Sequence, residues 1–88
     1  MLLALKVSGS TNPKRLAGAV CKSLEENGGE VAVQAIGAAA VSQAVKGIAI
    51  ARAMAAPEGA DLKVVPGFKD IELNGRKITA MQLHVLRR

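Results

Sequence analysis

The stretch AIGAAAVSQAVKGIAIARAMAAPEG, residues 35–59, decides the architecture of this chain. Its first two residues close the alternating run EVAVQAI, Glu30 to Ile36, whose β-branched residues and period of two predict a strand. Gly37 breaks that period. From Ala38 to about Ala56 the apolar residues recur at helical spacing, and Pro57 with Gly59 marks the stop. At about 100° per residue, Val41, Ala44, Val45, Ile48 and Ala55 form one stripe, while Ile50 and Met54 point nearly opposite, with Gln43 and Gly47 beside them. A helix lying on a sheet needs one apolar stripe. The second predicts a helix packed between its own sheet and another subunit, with Gln43, Gly47, Ile50 and Met54 as the candidate homodimer interface. Scattered surface apolars, which are common, are the plainer alternative for Ile50 and Met54.

Upstream, LLALKVS alternates Leu3, Leu5 and Val7 against Ala4, Lys6 and Ser8, as a strand with one buried face does. GSTNP is a turn, in which Asn12 suits a helix N-cap and Pro13 the first helical position. Leu16, Ala17, Val20 and Leu24 then repeat at helical spacing until Gly28-Gly29. Downstream, DLKVV predicts a third strand that Pro66-Gly67 is expected to kink or bulge. FKDIEL continues it to Asn74-Gly75, the strongest short-range hairpin signal, because both turn positions need positive φ. A two-residue loop sets Leu73 opposite Arg76 and Ile71 opposite Ile78. In the return strand Met81, Leu83 and Val85 share one face and Gln82 and His84 the other.

The order is βαβαββ, and right-handed crossovers place both helices on one face of a mixed sheet. The expectation is an α/β two-layer sandwich forming one domain over residues 1–88. Half the residues are hydrophobic, yet Phe68 is the only aromatic, so the core is built from Ala, Val, Leu and Ile. The one cysteine, Cys21, cannot form an internal disulfide. MLLALKVS is too short and too soon charged for a signal peptide, and no run approaches the roughly 20 apolar residues of a membrane helix. A reducing, cytoplasmic setting and no membrane partner are expected.

The formal net charge of +5 favours polyanions or an acidic protein surface as partners. The residues give little to catalysis. One His and one Cys without clustered carboxylates make no metal ligand set, so no metal and no cofactor are expected. Cys21 lies mid-helix beside the apolar stripe, where it reads as an inert half-buried thiol rather than a nucleophile. His84 reads as a solvated strand residue. Glu25 and Glu26 point in different directions on a helix. The chain is read as a binder, not an enzyme.

Two stretches suit an anion. In VSGSTNPK, residues 7–14, a strand passes through a polar loop into a helix N-terminus, whose backbone N–H groups and dipole favour negative charge. Ser8, Ser10 and Thr11 add hydroxyls, and Lys14 and Arg15 add charge. Neither GxxxxGK[ST] nor GxGxxG is present, and a capped turn without ligand stands as the equal alternative. The second stretch is the hairpin, where Lys69, Arg76 and Lys77 surround the turn and Asp70 and Glu72 dilute them. A basic two-stranded arm has the shape to follow a nucleic-acid groove, and a charged edge that discourages aggregation has the same composition.

Three segments together, KVSGSTNPKRLAGAV, EVAVQAIGAAAVSQAVKGIAIARAMAAPEGADL and TAMQLHVL, resemble the stage V sporulation protein S family over nearly the whole chain. AIGAAAVSQAVKGIAIAR is the most specific part. The element order, with a Gly between the second strand and an Ala-rich helix, is similar to the Alba family of small dimeric chromatin and RNA-binding proteins. The resemblance implies an Alba-like, nucleic-acid-binding dimer with a regulatory role in sporulation or a related developmental programme. It also implies contacts from the loop before the first helix, from around Gly37 and from the hairpin. The first location offers Ser10, Thr11, Lys14 and Arg15, and the third Lys69, Arg76 and Lys77. The middle one departs from the pattern, since Gln34, Ile36 and Ala38 stand where the Alba pattern has Lys or Arg. That departure points to weaker affinity or another ligand, although Gln34 can hydrogen-bond a base or phosphate. With one aromatic and no groove-reading helix, phosphate contacts with little sequence preference to DNA or RNA are the leading expectation. A protein-protein adaptor is the alternative, and a small phosphorylated ligand on the first helix is a third reading.

Overall fold

The computed structural model describes residues 4–88, so Leu3, assigned above to the first strand, lies outside the described residues. The elements are β1 (Ala4–Val7), α1 (Pro13–Glu26), β2 (Glu30–Ala35), α2 (Ala38–Ala55), a 3-10 turn (Ala56–Glu58), β3 (Leu62–Leu73) and β4 (Arg76–Arg87). This is the expected βαβαββ order, a two-layer α/β fold with a mixed sheet. Strand order is β1-β2-β4-β3, with β1 parallel to β2 and the other pairs antiparallel.

Local chemistry accounts for the element ends. Asn12 caps α1, its Oδ1 accepting from the backbone N–H of Lys14 at 2.9 Å and Arg15 at 3.3 Å, and Pro13 follows at the first helical position. At Gly37 the chain leaves β2 with φ of 89°, a conformation open to glycine, and enters α2 directly; Ile36 falls outside the strand and is exposed. Asn74 and Gly75 take φ of 52° and 76°, and the register sets Leu73 opposite Arg76 and Ile71 opposite Ile78, as the Asn-Gly turn predicts.

Val20, Val31, Val33 and Val85 are the largest fully buried side chains, with Leu16, Leu24, Ile48 and Leu83 around them. The helices meet at Gly47. A Cβ there would stand 2.5 Å from Leu16 Cδ2 and 3.0 Å from Leu16 Cβ, so α2 approaches α1 to a distance only glycine allows.

Two expectations are corrected. The helix predicted to present Val41, Ala44, Val45, Ile48 and Ala55 to the core instead buries Ala40, Ala44, Gly47, Ile48, Ala51 and Ala55. Its inner surface faces both the sheet and α1, which turns Val45 outward to 53% exposure. Pro66-Gly67 produces no bulge: β3 pairs with β4 without interruption from Leu62 to Leu73, Pro66 standing opposite Leu83. β3 is an edge strand, and half of its backbone N–H groups face no neighbour, so proline fits there without costing a ladder bond.

Candidate nucleic-acid interface

β2 runs towards Ala35, where its pairing with β4 ends at Met81. Beyond that point β3 and β4 have only each other, and the five pairs from Lys69–Ala80 to Leu73–Arg76 form an arm of about 17 Å. The arm leaves from the end of the sheet where β1 and β2 finish. Both helices begin at that same end.

The Ser8–Thr11 loop is held by its own polar groups. Thr11 Oγ1 accepts from the Ser8 N–H at 2.8 Å, the Thr11 N–H donates to the Ser8 carbonyl at 3.2 Å, and the Ser8 and Ser10 hydroxyls lie 3.1 Å apart. A Cβ on Gly9 would sit 3.0 Å from Ala39 Cβ, which places the loop against the first turn of α2. Gln43 ties the two together, its Nε2 donating to the Thr11 carbonyl at 2.8 Å, and Lys46 Nζ lies 3.4 Å from Gln43 Oε1.

The two helix N-termini are unlike. Asn12 already occupies N–H groups of α1, whereas α2 has no side-chain cap and no acidic residue in its first turn. The terminus ready for an anion is therefore that of α2, beneath the loop the sequence points to. A glycine followed by three alanines, Gly37 to Ala40, is the signal that locates it, since none of them can cap.

Register assigns the remaining side chains. Leu83 and Val85 are buried beneath the helices, so Gln82 and His84 face the open side of the sheet. Lys6, Gln34, Gln82 and Gly67 form one row across that open face. Lys69 and Arg76 share its side. Lys77 faces the other way, directly opposite Glu72, so the three hairpin cations divide two to one. Lys6 and Gln82 join the candidate set although sequence reasoning left them out. Alternation turns each away from the core, but only the order β1-β2-β4-β3 sets them on either side of Gln34.

Charge is unevenly distributed between the ends. The loop-and-arm end carries Lys6, Lys14, Arg15, Lys46, Lys69, Arg76 and Lys77 against Asp70 and Glu72. The opposite end carries Lys22, Arg52, Lys63, Arg87 and Arg88 against Glu25, Glu26, Glu30, Glu58 and Asp61. The net charge of +5 thus belongs to one end. The ion pairs among the described residues lie at the other: Arg52–Asp61 at 2.6 Å, Arg87–Glu58 at 3.2 Å, and His84–Glu30 at 3.1 Å when the imidazole is protonated.

The model of the stage V sporulation protein S (SpoVS) family matches residues 3–88. The chain belongs to that family. The SpoVS fold seen here is similar to the solved structure of Alba from Thermoplasma volcanium, at 16% identity and a TM-score of 0.60, over 99% of this chain and 100% of that one. Both resemblances drawn from the sequence hold.

In this SpoVS chain the residues expected at a dimer interface make contacts within the chain. Gly47 is buried against Leu16, Gln43 holds the Thr11 carbonyl, and Ile50 is half-buried against the chain's own core. Met54, 48% exposed, borders a cavity of about 180 Å³ with Cys21, Leu24 and Arg87 among its walls. Burial pushes the Cys21 thiol up from its ordinary value, aided by Glu25 and Glu58, so it stays protonated and weakly nucleophilic. Among the described residues no three His, Cys, Asp or Glu side chains gather to hold a metal, and no helix is long and apolar enough to cross a membrane.

Proposed function

We propose that this protein is a non-enzymatic, dimeric nucleic-acid-binding regulator of the stage V sporulation protein S type, working in the cytoplasm and gripping phosphates with little sequence preference. The observation that carries the reading is the location of the net charge: the uncapped start of α2, the start of α1 and the base of the arm converge where, among the described residues, Lys14, Arg15, Lys69 and Arg76 form no ion pair. Lys14 and Arg15 approach the backbone of a nucleic acid from the helix side, and Lys69 and Arg76 from the arm. Gln34, flanked by Lys6 and Gln82, supplies amide hydrogen bonds to bases or phosphates on the open face. Cationic side chains and backbone N–H groups bind phosphate without reading sequence, and the single aromatic, Phe68, lies on the opposite side of β3 from Lys69.

The test is titration of the full chain with duplex DNA and with RNA across a salt series. The logarithm of the binding constant falls linearly with that of salt, by about 0.9 per phosphate neutralised on B-DNA and about 0.7 on single strands. Absence of binding at low salt, or affinity indifferent to salt, overturns the reading.

A further inference from the structure

The chain has three asparagines, Asn12, Asn27 and Asn74, and each has a different setting. Asparagine is chemically labile: the backbone nitrogen of the next residue can attack its side-chain amide carbon. The following residue and the freedom of the amide therefore decide which asparagine reacts. Asn12 precedes Pro13, whose nitrogen carries no hydrogen to give up and cannot attack. Asn27 precedes Gly28, yet its amide is held. Its Nδ2 donates to the Ser23 carbonyl at 2.8 Å, and its backbone N–H donates to the same oxygen at 2.9 Å. The amide is thereby turned back along α1, away from the Gly28 nitrogen. Asn74 precedes Gly75 at the exposed tip of the arm. Nothing among the described residues holds its amide, the arm's side-chain hydrogen bond joining Thr79 to Asp70. Gly75 has no side chain to hinder the approach of its nitrogen.

We infer that Asn74 is a site of spontaneous deamidation, which turns the neutral tip of the arm negative and so lowers the arm's hold on phosphate. The Gly75 nitrogen loses its proton to hydroxide and bonds to Asn74 Cγ. The side-chain nitrogen takes a proton and leaves as ammonia, closing a succinimide ring. Water then opens the ring at the Cγ carbonyl to give Asp, or at the backbone carbonyl to give isoaspartate. Water is the only co-reactant, and nothing is oxidised or reduced. The arm carries Lys69, Arg76 and Lys77 against Asp70 and Glu72, so one further carboxylate cancels its excess positive charge. Isoaspartate also lengthens the backbone, which breaks the two-residue turn that sets Leu73 opposite Arg76. The effect on phosphate rests on the proposed function, whereas the chemistry at Asn74 does not.

Incubation of the folded full-length chain in mildly alkaline buffer, followed by digestion and mass spectrometry, tests this. Asn74 gains the mass that separates an acid from an amide, faster as pH rises, while Asn12 and Asn27 stay intact. In urea, where Ser23 no longer holds Asn27, Asn27 and Asn74 convert at similar rates. The aged native chain and a fresh Asn74→Asp chain bind duplex DNA about fivefold more weakly near 0.1 M salt, with a salt slope flatter by about one, the share of one phosphate contact. Asn74→Gly suits the same turn, has no amide to lose, and keeps its affinity through the incubation. No conversion at Asn74, conversion of Asn27 in the folded chain as fast as that of Asn74, or a converted chain that binds DNA as the fresh one does overturns the inference. Should the fresh native chain bind neither duplex DNA nor RNA at any salt, the phosphate reading fails and takes the effect on binding with it, while the mass measurement still decides the site.

Discussion

At the end of the sandwich where the helices finish, cations and carboxylates are equal in number, and three ion pairs form there: Arg52 with Asp61, Arg87 with Glu58, and His84 beside Glu30. At the end where the helices begin, seven cations face two carboxylates, of which Asp70 accepts from Thr79 at 3.1 Å and Glu72 stands opposite Lys77 in the strand register. The two ends share residue types and differ in pairing. A formal charge of +5 is thus a poor description of this molecule, which is balanced over one half and strongly basic over the other. The polyanion proposed as partner is expected at the basic half, because desolvating a cation that already has a partner yields little.

The largest expected effect comes from reversing that contrast. Replacing Lys14, Arg15, Lys69 and Arg76 with Glu removes four phosphate contacts, lowers affinity for duplex DNA by about three orders of magnitude near 0.1 M salt and flattens the salt slope by about four. The same change at Lys22, Arg52 and Lys63 leaves the slope nearly intact, and fluorescence anisotropy separates the outcomes. If the two sets prove equivalent, location of charge does not govern binding.

Next in size is Gly47→Ala, which forces α2 away from Leu16 and so disturbs the platform on which both helix starts rest. A loss of about 1–3 kcal/mol of stability is expected, read by urea unfolding. Asn12→Ala uncaps α1 and costs about 1 kcal/mol in the same experiment. It also makes the two helix starts alike, and unchanged or slightly improved DNA binding in the folded variant confirms that α2 supplies the anion-facing N–H groups.

The smallest effect belongs to the paired end. The hydrogen bond from Arg52, with a second from the Leu62 N–H, holds the Asp61 carboxyl below its ordinary value. A group whose folded value is depressed contributes stability above its unfolded value and loses it as pH falls through the folded one. Asp61→Asn is therefore expected to reduce slightly the acid-limb slope of stability, without touching nucleic-acid affinity. A change in affinity would link two ends that the structure keeps apart.

Most of the fold was legible because local chemistry and packing agree: Asn12-Pro13 starts α1, Gly37 separates β2 from α2, and Asn74-Gly75 turns the hairpin. What was hidden depends on neighbours distant in sequence. Val45 looked like core because a helical wheel takes no account of α1, which competes with the sheet for the face of α2 through Gly47. Pro66 looked like a bulge because its strand's place at the sheet edge follows only from the strand order. The candidate site divides in the same way. Lys14, Arg15, Lys69, Arg76 and Lys77 were proposed from their local settings, whereas the placement of Lys6 and Gln82 on either side of Gln34, and of Lys77 opposite Glu72, follows only from strand order and register.

The position of β4 bears on how the molecule comes into being. β4, which follows β3 in the chain, lies inside the sheet, with β2 on one side and β3 on the other. Glu30 must find Leu86, and Ala35 must find Met81, before the first half of the chain acquires a second strand beside β2. Until then α1 and α2 lie on a two-stranded ribbon too narrow to hold them. The pairing of β2 with β4 joins residues 46 to 56 positions apart, a long-range closure expected to be slow relative to helix formation.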